Sequence, residues 1–255
     1  MSFQFSTLEL IGAFLLGTII GSFANVCIYR LPWHRSLIFP ASHCPHCQQS
    51  IRPWHNIPIL SYIVLGGRCA YCKINIPWRY PFVELLCGLL YVFLYKQFGI
   101  STVGVVLTAL ATTLLIVTFI DLDHQIIPDT ITVPGIVAGL VASFFLTPIG
   151  VLNALIGTFL GGGLFFLVAM LSRGGMGGGD IKLIAMIGAF LGWQAVLVTI
   201  FLSALLGACV GLSLILLKKK GRKDPVPFGP FLAMGGIIAM VWGTELVHLY
   251  ARISP

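Results

Sequence analysis

Charge is what this sequence has least of. Of its 255 residues only 9% are Asp, Glu, Lys or Arg, and 58% are hydrophobic; an ordinary soluble domain carries about 25% charged residues. That shortage excludes a soluble globular domain and a disordered chain together, because neither keeps so much apolar surface in water. The 29 Gly and 14 Pro fall at no fixed period, which excludes a collagen-like chain. Whole stretches lack charge altogether: none occurs from Thr130 to Ser172, nor from Leu183 to Leu217. No acid occurs from Leu31 to Val83, and no basic residue precedes Arg30. What remains is a helical bundle in lipid.

A helix crossing the hydrocarbon core needs about 20 apolar residues. Leu8 to Ile28 supplies the first, too long and without the basic flank of a cleaved secretory signal, so it reads as a retained span. Apolar runs resume at Pro81–Phe98 and Thr102–Ile120. The uncharged stretch from Thr130 to Ser172 is too long for one helix at about 1.5 Å per residue, so it divides near Thr147-Pro148-Ile149-Gly150. The same argument divides Leu183–Leu217 at Gly192-Trp193-Gln194, and Phe231–Leu249 closes the count. The expectation is an all-α polytopic membrane protein of about eight transmembrane helices with a cytoplasmic, zinc-ribbon-like loop domain. Residues 1–30 form the first span, 31–79 the zinc-binding loop, and 80–255 a seven-helix membrane domain.

The formal net charge is +7, from 15 Lys and Arg against 8 Asp and Glu. On a soluble protein that excess suggests nucleic acid; between apolar spans it is the imprint of the positive-inside rule. With eight spans, Arg30, Arg35, Arg52, Arg68, Lys73, Arg79, Arg173, Lys182 and the Lys218–Lys223 cluster share one side, and only Lys96 and Arg252 fall opposite. That side reads as cytoplasmic, both ends of the chain as extracytoplasmic. The expected partner is lipid, with no nucleic acid.

The same count places Asp121 at the cytoplasmic end of the third span and Asp180 at the start of the sixth. Taken alone, Asp121 and Asp123 read as a solvated helix end, and Asp129 after Pro128 as an N-cap. The run Gly174-Gly175-Met176-Gly177-Gly178-Gly179 before Asp180 reads either as a flexible turn and close helix contact, or as a backbone freed for φ > 0 that delivers an N-capping acid beside an extended peptide. The shared face favours the second reading. Two carboxyls meeting across a gap hold one proton between them, so one acts as general acid while the other activates water. An acid at membrane depth is itself a functional indication.

Cys44-Pro45-His46-Cys47 and Cys69-Ala70-Tyr71-Cys72 are two CxxC pairs separated by 21 residues. Four thiolates at such spacing close a tetrahedral structural zinc site. A redox CxxC is the alternative, opposed by the duplication and by the absence of a surrounding βαβ pattern. Cys27, Cys87 and Cys209 lie within apolar runs as packing residues.

With these motifs in order, the sequence resembles the type IV prepilin peptidases. The likeness runs through Gly21-Ser22-Phe23-Ala24-Asn25-Val26 with Tyr29-Arg30-Leu31-Pro32, the double CxxC, Arg52-Pro53-Trp54-His55-Asn56-Ile57-Pro58, and Arg79-Tyr80-Pro81 with Glu84. It continues through Ile120-Asp121-Leu122-Asp123-His124-Gln125, Ile127-Pro128-Asp129, the GxGD element Gly177–Asp180 and Pro227-Phe228-Gly229-Pro230. The resemblance implies that Asp121 and Asp180 are the catalytic aspartates of a bacterial inner-membrane enzyme. It implies prepilin or pseudopilin substrates, cut on the cytoplasmic side after a short basic leader. It implies methylation of the new N-terminus from S-adenosylmethionine, with Gly66, Gly67, Arg68 and Cys69 matching the family's methylation region. Arg68 departs from that pattern, which carries Lys. No GxGxxG turn after a strand marks a Rossmann-type methyltransferase, and the residues alone do not indicate methylation. A GxGD protease without methyl transfer and a membrane transporter are the competing readings; a transporter would hold its acids near the midplane.

Overall fold

The computed structural model describes residues 5–172, 175–217 and 226–253. Of the residues weighed above, Arg173, Gly174, Lys218, Lys219, Lys220, Arg222 and Lys223 lie outside the described residues. The elements are helices α1 (Thr7–Arg30), α2 (Leu60–Val64), α3 (Arg79–Phe98), α4 (Thr102–His124), α5 (Asp129–Phe145), α6 (Val151–Leu171), α7 (Gly178–Leu216) and α8 (Gly229–Ile253), with two 3-10 turns in the long loop. Six of these helices are long and apolar enough to cross a membrane, and α5 is a shorter apolar one. The protein is a multi-pass, all-helical membrane protein. Its chain forms two compact units, Met1–Gly104 and Val105–Pro255.

In the first unit α1 packs along α3. Ser6 caps α1 and Glu9 returns the bond to the Ser6 N–H, a capping box that satisfies two otherwise open N–H donors. Lipid tails are as apolar as leucine, so close backbone approach rather than burial from water holds such helices together. Gly17 and Gly21, spaced four apart, lie against Cys87, Gly88 and Glu84 of α3.

In the second unit the first arm of α7 is central. Its Leu183, Ile184, Met186 and Ile187 are fully buried among Leu110, Leu114 and Val117 of α4, Phe165 of α6 and Leu232 of α8. At 39 residues a straight α7 would be about 58 Å long, nearly twice the hydrocarbon thickness. It does not run straight. Gly192 takes φ 80° and ψ 176°, outside the helical region and in a conformation that side-chain-bearing residues rarely adopt. A methyl group at Gly161 of α6 would lie 3.1 Å from both Ile184 Cγ1 and Val196 Cγ1. A straight helix sets residues 184 and 196 about 18 Å apart, so the chain reverses at Gly192. The arms 178–191 and 193–216 therefore count as two, and with α1, α3, α4, α5, α6 and α8 they give the eight expected from the apolar runs. The other expected break is also present: α5 ends at Phe145 and α6 begins after Gly150 at φ 78°.

Candidate functional site

The reversal at Gly192 decides what meets what. It returns the chain to the end where α4 finishes and α7 begins, so α8 starts there too. The backbone N–H of Gly229, first residue of α8, donates to Asp121 Oδ2 at 2.8 Å. Asp121, in the last turn of α4, is 5% exposed. Asp180 is half-buried in the first turn of α7, close enough to Asp121 for the two charges to interact. Two acids separated in sequence by the whole of α5 and α6 thus share one end of the second unit.

Three local expectations are corrected. Asp180 is not the N-cap; Gly177 holds that position at φ −72° and ψ 141°, and Asp180, three residues on, turns its carboxylate back to accept the Gly177 N–H. The glycines around it are not used for φ > 0 either, since none of Gly175, Gly177, Gly178 and Gly179 adopts it. Their use is closeness: a methyl group at Gly179 would sit 2.8 Å from Ile127 Cβ, where the α4–α5 connection crosses the start of α7. Asp129 likewise does not cap α5, whose N-cap is Pro128. It pairs instead with Lys182 Nζ at 2.6 Å, with 61% and 41% of the two side chains exposed. An exposed pair of this kind contributes about 0–1 kcal/mol.

The thiols form a second site in the first unit. Cys44, Cys47, Cys69 and Cys72 place their Sγ atoms all within 4.8 Å of one another, and Cys44 Sγ lies 3.8 Å from Cys72 Sγ. With Zn–S bonds of about 2.3 Å, ligand sulfurs at tetrahedral corners stand about 3.8 Å apart, so the set fits zinc. It is built from one knuckle used twice. Cys44 N–H donates to Gln49 O and Gln48 N–H to Cys44 O; Cys69 N–H donates to Ile74 O and Lys73 N–H to Cys69 O. His43 pairs with Ser50 as Arg68 pairs with Asn75, and Gln48 and Lys73 both take positive φ. The internal repeat was not visible beyond the CxxC pairs, because backbone hydrogen bonds rather than side chains carry it. His43 turns Nδ1 to Ala41 O, consistent with four sulfurs as a complete set.

Electrostatics agrees with that assignment. The N–H groups of Cys72 and Tyr71 hold the Cys69 thiol down at about 6. At Cys72 the Ile74 N–H acts in the same direction, but burial and the neighbouring thiols Cys69, Cys47 and Cys44 outweigh it and push the group up to about 11. Four thiols this close ionise together only around a cation. Zinc ligation needs the four thiols deprotonated, so protons compete with the metal and zinc retention is expected to weaken as pH falls. Metal analysis of purified protein across a pH series checks this. Cys72→Ser should lower zinc content and raise the protease sensitivity of residues 31–79.

Gly67 and Arg68 belong to the second knuckle. Gly67 takes φ +67° against the Tyr62 ring, donates its N–H to Tyr62 O and accepts from Ile76 N–H. The loop is also tied to α3, since Ile59 N–H donates to the buried Glu84 carboxylate at 2.7 Å. That tie was missed by residue-level reading; Glu84 lies within a short motif but gives no sign of its partner.

Residues 15–98 match the family model described as the bacterial peptidase A24 N-terminal domain, and residues 108–212 that of the type IV leader peptidase family. A protein of Stutzerimonas stutzeri named prepilin leader peptidase/N-methyltransferase is 37% identical, covering 95% of this chain and 93% of its own. Proteins of the same name from Pseudomonas aeruginosa, 38% identical over 94% and 92% of the two chains, and Aeromonas hydrophila, 39% over 93% and 92%, are similar to the same extent. No solved structure matches.

Proposed function

Because the chain belongs to the type IV leader peptidase family, we propose that it removes the leader from type IV prepilins or pseudopilins through the Asp121/Asp180 pair and then N-methylates the new N-terminus. The observation that carries the peptidase reading is the meeting of these two acids at one end of the second unit, with Asp121 fixed by the Gly229 N–H.

The pair holds one proton between its two carboxyls, and its ionisations belong to the pair rather than to either residue. One carboxylate takes a proton from water, which attacks the scissile carbonyl; the other donates its proton to the carbonyl oxygen. Collapse of the tetrahedral species breaks the C–N bond, and the amine leaves with a proton returned from the pair. The Gly229 N–H holds Asp121 in one orientation, and the Gly177 N–H does the same for Asp180. Beside Gly178, where an added methyl would meet nothing within 4 Å, there is open space for an extended substrate backbone.

We place the enzyme in the bacterial inner membrane with residues 31–79 and the aspartate pair on the cytoplasmic side. The support is the one-sided distribution of Lys and Arg. Substrate prepilins carry their apolar segment in the bilayer and their basic leader in the cytoplasm. The four cysteines hold structural zinc, which shapes a loop with little apolar core of its own. S-Adenosylmethionine, when bound, supplies a methyl group: the amine lone pair forms the new N–C bond as the S–C pair returns to sulfur, and the displaced N–H proton passes to water. Gly67 and Arg68 are the chain's own residues nearest the family's methylation region.

Incubating purified protein with a prepilin and S-adenosylmethionine, read by intact mass, tests both activities at once. The expected product lacks the leader and has gained one methyl. An uncut precursor refutes the peptidase reading; a cut but unmethylated product refutes the methyltransferase reading.

A further inference from the structure

The loop between α1 and α3 has an uncharged stretch of its own. Arg52 and Arg68 bracket Pro53–Gly67, which contains the run Ile57-Pro58-Ile59-Leu60-Ser61-Tyr62-Ile63-Val64-Leu65. An apolar run too short to cross a bilayer is either a buried core helix or a segment that dips into the membrane and returns. Exposure separates the two. Leu60, Ile63 and Val64 share one face of α2 at helical spacing, and they are 55%, 67% and 75% exposed. A core helix does not turn three large aliphatic side chains outward.

A hydrogen bond fixes the depth. Gly17 of α1 lies against Gly88 of α3, and each is near the middle of its apolar run, Leu8–Ile28 or Pro81–Phe98. Glu84 is about 6 Å along α3 from Gly88, whereas the hydrocarbon edge stands about 15 Å from the midplane. The glutamate side chain and its 2.7 Å bond from the Ile59 N–H do not span the difference, so Ile59 stands inside the hydrocarbon layer. Asn56, Ile57 and Pro58 line a cleft with Ile19, Ser22 and Phe23 of the first span, which sets them at similar depth.

Backbone at that depth must find its hydrogen-bond partners within the protein. Ile59 takes φ 61° and ψ −50°, a conformation that β-branched residues rarely adopt, and the Leu60 N–H closes the tight turn onto Pro58 O. The N–H groups of Ser61, Ile63, Leu65, Gly66 and Gly67 all donate to carbonyls of the same segment, as does the Ser61 hydroxyl. The Ile59 N–H is the donor that this turn leaves over, and a carboxylate of the neighbouring span accepts it.

We propose that residues 56–65 form a re-entrant segment that enters and leaves the bilayer on the cytoplasmic side, with Leu60, Ile63 and Val64 against lipid acyl chains. Glu84 is the positioning residue that holds its turn. Tyr62 links the segment to the second zinc knuckle, its ring against Gly67 and its hydroxyl donating to Ile76 O. On the methyltransferase reading, Gly66, Gly67 and Arg68 are thereby held at the bilayer surface, where a substrate N-terminus emerges once its leader is gone.

The test uses the full, zinc-loaded chain in nanodiscs of phosphatidylethanolamine and phosphatidylglycerol. Hydroxyl-radical oxidation is read by peptide mass, each rate divided by that of the same residue in the denatured chain. Leu60, Ile63 and Val64 are expected at background, while His46 and Tyr71, exposed residues of the two knuckles, are oxidised. A phospholipid with a diazirine at the end of one acyl chain should label residues 57–65 on irradiation. Glu84→Gln should keep this pattern, because its side-chain carbonyl still accepts the Ile59 N–H. Glu84→Ala should lose it, bringing Ile63 and Val64 up to the normalised rate of Tyr71; the wild-type pattern decides by itself if that variant does not assemble. Wild-type oxidation of Ile63 and Val64 on a par with Tyr71 overturns the proposal. So does acyl-chain label that reaches α1 and α3 but omits residues 57–65, and an unaltered pattern in Glu84→Ala removes the role given to Glu84. None of these measurements involves methyl transfer, so a chain that cleaves without methylating refutes the methyltransferase reading and leaves the re-entrant segment standing.

Discussion

Asp121→Asn and Asp180→Asn are each expected to lower leader cleavage on the order of a thousandfold, the scale of removing a general acid or base. Asparagine is nearly isosteric with aspartate. At position 121 its side-chain carbonyl can still accept the Gly229 N–H that now binds Oδ2, so the start of α8 keeps its anchor on α4. What is lost is the capacity to exchange a proton. The measurement is the single-turnover cleavage rate on one prepilin, with membrane insertion and zinc content followed as evidence of an intact chain. Substantial cleavage by either variant would end the paired-acid mechanism. Asp123→Asn should be far milder, and were it alone inactivating, the acid taken from α4 would be the wrong one.

Gly229→Ala carries the second large effect. A methyl group there would stand 2.7 Å from Asp121 Oδ2 and 3.2 Å from its Cγ. Gly229 begins α8, whose Leu232 and Ala233 are packed into the core of the second unit, so the helix cannot easily yield and the carboxylate must. A displacement of about 1 Å at a catalytic group costs on the order of a hundredfold in rate. We therefore expect cleavage to fall by about that factor with little change in the affinity for prepilin. Methylation of a precleaved substrate should persist, because the proposed methylation region lies in the first unit. Equal loss of both activities would instead point to general unfolding.

Much of this was legible in order along the chain. Apolar runs and the scarcity of charge gave the spans, and helix length set against bilayer thickness divided the two long uncharged stretches. The CxxC pairs announced a four-thiol cluster fit for a metal because tetrahedral thiolate ligation needs little beyond those residues at that spacing. The exact use of glycine was less legible. A glycine run signals either backbone freedom or closeness, and only its neighbours distinguish them: Gly192 serves the first, Gly179 and Gly229 the second.

The sequence by itself determined the solvent in which this protein folds, its family and the residue types available for chemistry, since composition, periodicity and motif are properties of the chain. Only the tertiary structure decided which acid meets which, because that depends on the reversal at Gly192. One residue with a left-handed backbone brings the start of α8 back to the end of α4, and so seats the Gly229 N–H on the carboxylate of Asp121.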